Sequence, residues 1–182
     1  MDSTRHATDP RASRIGKGDP AAIGTGDVVG ITPGMVITSN AVRTRWQQRG
    51  PADARTATAL RLMVDDWIAD TLEVSGERRA DILVTVCEAL ANCADHAYRG
   101  RETPGPMVLD VSLDVPTAMV VICVTDHGTW IEPVPGSPRG QRGRGIALMH
   151  AMADDVKIDG TADGTTVCLH FKHCRLKPEF AA

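Results

Sequence analysis

The chain has 182 residues, 42% of them hydrophobic and 24% charged, and its 20 basic and 23 acidic side chains leave a formal net charge of -3. That length fits one ordinary domain with a tail and leaves no room for a second full catalytic domain. The near-neutral balance lacks the dense positive field that nucleic acid requires, so no direct nucleic-acid contact is expected.

Residues 1–34 are rich in Gly, Asp, Arg, Ser, Thr and Pro and carry no apolar period. Such a stretch buries too little surface to offset the entropy of ordering, so it reads as a disordered N-terminal tail. The pairs Gly16-x-Gly18 and Gly24-x-Gly26 are not followed by Gly-Lys-Ser/Thr and make no phosphate loop. Charged residues stand where a signal peptide needs an apolar core, and no run of about 18 apolar residues could span a bilayer. A cytoplasmic protein without membrane contact is expected.

The folded domain is expected over residues 35–176, with 177–182 as a C-terminal tail, and it opens on a short strand near Met35 to Val42. Leu60, Met63, Val64, Trp67, Ile68 and Leu72 then recur at helical spacing behind the start signals Pro51 and Asp53. They predict a helix over 54–74, stopped by Ser75-Gly76. A second helix is predicted over 79–97, burying Ile82, Leu83, Val86, Ala89, Leu90 and Cys93. Leu109, Val111 and Leu113 alternate with Asp110, Ser112 and Asp114, and after Pro116-Thr117 the run 118–124 is almost continuously apolar. This is an antiparallel hairpin with a buried second strand. A Pro/Gly-rich loop from Pro133 to Arg142 leads to a helix over 146–152 and strands over 156–158 and 165–171. The sum is α+β: a two-layer sandwich with helices on one face of a mixed, mostly antiparallel sheet. Cys87, Cys93, Cys123 and Cys168 sit in apolar patterns, with Cys174 just beyond, which fits reduced thiols; no disulfide is expected. Cys168, His170, His173 and Cys174 are close in sequence but lack zinc-ligand spacing.

On the second helix Glu88, Asn92, Asp95 and His96 fall at i, i+4, i+7 and i+8 among Ala, Leu, Val and Cys. That spacing puts four polar groups on one side of an otherwise apolar helix, where they cost free energy unless something partners them. Taken alone, the strip has a rival reading as the ordinary surface of an amphipathic helix. Three later signals favour a site. Asp126 and Gly128 end a buried strand, where an aspartate can accept from an exocyclic amine and a glycine admits a close approach, although Asp-x-Gly also makes a plain turn. Gly143-Arg144-Gly145 opens a helix and offers amides to an anion, with Arg139, Arg142 and Arg144 adding charge and the loop before it suited to a lid. Gly164-Thr165-Thr166-Val167 closes the series. Asn92 offers a carboxamide oxygen, a hard ligand of the kind magnesium takes, and Glu88, one turn earlier, offers a carboxylate suited to a general base, while Asp95 and His96 only extend the strip.

The order of these signals resembles the ATPase superfamily that includes gyrase, histidine kinases and mismatch-repair ATPases. Within it, Glu88-Ala89-Leu90-Ala91-Asn92 followed by His96-Ala97-Tyr98, and the compact box Gly143-Arg144-Gly145-Ile146, are most similar to the anti-sigma-factor serine/threonine kinases, over about residues 55–172. The resemblance implies a histidine-kinase-like (Bergerat) ATP-binding domain with ATP and Mg2+ as cofactors and Asn92 as the metal ligand. It also implies nucleotide contacts from Asn92, Asp126, Gly128, Arg142, Gly143, Arg144, Gly145 and Thr165, and catalysis by Glu88. The implied partners are a sigma factor, held inactive, an anti-sigma-factor antagonist phosphorylated on Ser or Thr, and a second copy of the chain. Trp130 departs from the pattern, standing where the superfamily usually has a second glycine. The rival readings are a regulatory module that binds ATP and sequesters its partner without phosphorylating it, and an ATP-driven clamp, for which further domains would be needed.

Overall fold

Asp53 starts the first helix by accepting the Thr56 N–H at 2.7 Å, and α1 runs over Ala54–Thr71 in the computed structural model, which describes residues 35–38, 41–129 and 144–180. The stretch 1–34 and the loop from Pro133 to Arg142 lie outside the described residues. A second helix, α2 (Gly76–His96), begins earlier than its apolar period predicts. Ser75, which reads as a stop signal, is its N-cap, with Oγ accepting the Arg78 N–H at 3.1 Å.

Two strands precede α1, namely β1 (Met35–Thr38) and β2 (Ala41–Pro51). The length of β2 is not apparent from hydropathy because Arg45, Gln47 and Arg49 face outward while its inward positions are Trp46 and Gln48. A short β3 (Leu72–Glu73) follows α1. The hairpin appears as β4 (Pro106–Asp114) and β5 (Met119–Asp126), and α3 (Arg144–Met152) precedes β6 (Asp155–Thr161) and β7 (Gly164–Phe171). The six-stranded sheet has the order β1-β2-β4-β5-β7-β6, and each of its described pairings is antiparallel. A separate ribbon joins β3 to β8 (Arg175–Leu176). Beyond it the Lys177 N–H donates to Thr71 O and its Nζ reaches Ala69 O at 2.6 Å, so this segment closes the end of α1.

Burial alternates strictly along β4, β5 and β7. Their inward rows, among them Leu109, Leu113, Ile122, Leu169 and Phe171, pack under Leu60, Val64 and Ile68 of α1 and Ile82, Val86 and Leu90 of α2. Each such side chain contributes about 1.5–3 kcal/mol by leaving water. The other face carries no helix among the described residues and is half-buried. There the expectation of free thiols fails for one pair: Cys123 and Cys168 are joined by a disulfide, with Cα atoms 4.1 Å apart. Alternation puts both on the open face and strand register sets them directly opposite each other, a relation between residues 45 apart that cysteine spacing does not reveal. Cys87, Cys93 and Cys174 are free. Among the described residues no helix is long and apolar enough to cross a membrane.

Candidate functional site

The polar strip of α2 meets the first turn of α3. A Cβ built on Gly145 would stand 2.5 Å from Glu88 Oε2 and 3.7 Å from Asn92 Nδ2, so the start of α3 sits against both groups and the glycine leaves the Glu88 carboxylate where it is. Glu88 and Asn92 are half-buried, and Arg144 beside them is exposed. Asp95 is exposed on the far side of the strip, and its carbonyl accepts from Arg99 Nε at 2.9 Å. His96 is half-buried at the end of the helix.

A second group forms where β5 ends. Asp126 is 7% exposed and stands opposite Thr165, itself buried, in the β5–β7 register. Its Oδ1 accepts the Gly128 N–H at 2.8 Å. Burial raises the Asp126 carboxyl above its ordinary value, while backbone N–H groups of Gly128 and Thr165 and the charge of His127 act against the rise. Gly128 has a reason inside the protein: a Cβ there would collide with the Ala97 carbonyl, the same oxygen that accepts the Thr129 N–H at 3.0 Å. Gly164, at φ +151°, has no room either, because a Cβ would strike the Asp126 carbonyl. The turn after β5 is thus pressed between the end of α2 and the start of β7.

Two residues join the groups without having carried a role in the sequence reading. Cys93, on α2 next to Asn92, is buried beside Asp126, and desolvation chiefly, then the Asp126 charge, pushes its thiol up to about 12. Tyr98, the one tyrosine of the chain, donates its hydroxyl proton to Pro106 O at 2.7 Å and accepts the His127 N–H at 2.8 Å. It pins the post-β5 turn to the start of β4. The signal for it was present as a lone aromatic at a helix end, but only the strand register supplies its partners.

Of the expected site residues, then, Glu88, Asn92 and Gly145 adjoin one another, with Arg144 at the edge, and Asp126, Gly128 and Thr165 form a neighbouring cluster. Arg142 and Gly143 lie outside the described residues, as do Arg139 and Trp130. The donor chemistry fits a magnesium–nucleotide complex: a carboxamide oxygen and a carboxylate are hard ligands, and magnesium keeps most of its waters and takes few protein groups.

The sequence profile of the histidine kinase-like ATPase domain matches residues 50–171. An anti-sigma F factor of Pasteuria penetrans is 30% identical over 134 residues, which are 69% of this chain and 87% of that protein. Among solved structures, one of the RsbU and RsbW domains of a Mycobacterium tuberculosis protein aligns with a TM-score of 0.55 at 23% identity, covering 72% of this chain. The present chain spans 32% of that protein's length, and the likeness speaks to fold.

Proposed function

We propose, since this chain belongs to the histidine kinase-like ATPase domain family, that it is an ATP- and Mg2+-dependent serine/threonine kinase of the anti-sigma-factor type. In this reading it holds a sigma factor in an inhibitory complex and phosphorylates a Ser or Thr of that factor's small antagonist protein. The observation that carries it is the approach of Gly145 to Glu88 and Asn92, which sets the start of a helix against a carboxylate and a carboxamide. Pure nucleotide binding asks for no base, whereas Glu88 offers a carboxylate suited to accept a proton.

Asn92 would hold Mg2+ through its side-chain oxygen. When bound, the ion neutralises charge on the triphosphate. Arg144 and Gly145 at the start of α3, and Arg142 and Gly143 just before them in sequence, would meet the phosphates with cations and backbone N–H groups. Asp126 would accept from the exocyclic amine of adenine, with Gly128 and Thr165 shaping that end of the pocket. Glu88 would take the proton from the attacking hydroxyl at its carboxylate oxygen.

Incubation with γ-labelled ATP, Mg2+ and antagonist candidates from the same genome tests this. Label is expected on a Ser or Thr of one antagonist. Sigma-factor capture with no transfer to any antagonist would instead establish the non-catalytic sequestering module.

A further inference from the structure

Cys123 on β5 and Cys168 on β7 stand on the sheet face opposite the helices, and both are half-buried, within reach of small solutes. The inward rows that fill the core come from the alternate positions of the same strands. β5 and β7 are paired along the whole register from Val120↔Phe171 to Asp126↔Thr165, so the covalent bond is added to a strand pair already complete without it.

Strand register also gives the pair unequal surroundings. One row across the open face reads Gln47, Asp110, Cys123, Cys168 and Lys157. Directly opposed residues bring their Cβ atoms within about 4.5–5.5 Å. Cys168 therefore neighbours the exposed Lys157 cation, while Cys123 neighbours Asp110, whose carboxylate accepts from Arg45 at 2.6 Å and Gln47 at 3.2 Å. The adjoining rows carry His170 with Asp155 on one side and the bonded Thr125–Thr166 hydroxyls with Asp159 on the other. A neighbouring cation favours thiolate, and a carboxylate opposes it.

We propose that Cys123 and Cys168 are a reversible thiol–disulfide modification site for low-molecular-weight disulfides, and that closing the bond stiffens the two strands that carry Asp126 and Thr165. Cys168, as thiolate, attacks one sulfur of the small disulfide and releases one small thiolate, forming a mixed disulfide. Cys123 gives its proton to solvent and attacks Cys168 Sγ, expelling the second small thiolate. Two electrons pass from the cysteine pair to the small disulfide, which leaves as two thiols.

The test uses the full chain with Cys87→Ser, so that the exposed free thiol does not report, and contains no nucleotide; its outcome is therefore independent of the kinase reading. In mixtures of reduced and oxidised glutathione the mass is expected to fall reversibly by two hydrogens while the far-ultraviolet circular dichroism stays constant. In the reduced protein iodoacetamide should label Cys168 several-fold faster than Cys123, and Lys157→Gln should narrow that ratio. Amide exchange in 120–126 and 165–171 should slow several-fold on oxidation, and the double variant Cys123→Ser, Cys168→Ser should match the reduced rate. A pair that stays reduced, one that closes only after unfolding, or equal exchange in both states would overturn the proposal.

Discussion

Asp126 shows what a buried ionisable group costs. Its carboxyl is raised in the folded protein, chiefly by desolvation. Its contribution to stability is thus complete below the unfolded value of about 3.9 and is lost as pH rises through the higher folded value. Above the unfolded value the desolvated carboxyl works against the fold, so Asp126→Asn should resist denaturant better than the parent at pH 7, with the gain shrinking toward pH 3. Urea melts at the two pH values check this, and competition binding should show a reduced preference for ATP over GTP in the same variant. Glu88→Gln keeps size and polarity but removes the proton acceptor. Phosphoryl transfer to an antagonist should fall by about 10²-fold or more while ATP binding persists, as single-turnover assay beside calorimetry would show. Tyr98→Phe leaves the His127 N–H and Pro106 O without their partner and should cost about 1–3 kcal/mol in chemical denaturation.

Two glycines distinguish elements that bend from elements that cannot. At Gly145 the obstacle to a Cβ is the end of the flexible Glu88 side chain, whereas at Gly128 it is the backbone of Ala97. Gly145→Ala should therefore keep a normal melting curve yet lose nucleotide affinity and transfer, and Gly128→Ala should lower the melting temperature itself. Thermal melts with ATP titrations separate the two. The same contrast explains what could be read from the chain. Helices α1 and α2 and the β4–β5 hairpin were legible because their apolar periods are local, and the polar strip Glu88–Asn92 followed from helix geometry alone. The strand β2 was not, because its outward residues are charged and only Trp46 marks its buried side. The Cys123–Cys168 bond and the hydroxyl bridge of Tyr98 were hidden for a further reason: both depend on which strands lie side by side. The closeness of Gly145 to Glu88 was likewise invisible, since it is set by how α3 crosses α2.

Across the whole molecule, stability rests on one apolar layer between two helices and an antiparallel sheet. Phe171, fully buried in β7 beneath that layer, should cost about 3–5 kcal/mol when replaced by Ala, measured by denaturant melts with the disulfide intact. The sheet is assembled from distant parts of the chain, with β2 pairing to β4 across the whole α1–α2 segment. Lys177 extends this dependence to the order of synthesis. Its ammonium and its N–H satisfy carbonyls at the end of α1, and Lys177 lies 108 positions after Ala69 in the chain. An 18-residue helix alone in water is marginal. At about 5–20 residues per second, the last turn of α1 waits roughly 5–20 s after leaving the ribosome for the residue that closes it. During that interval water alone meets the carbonyls of Ala69 and Thr71 that Lys177 later takes.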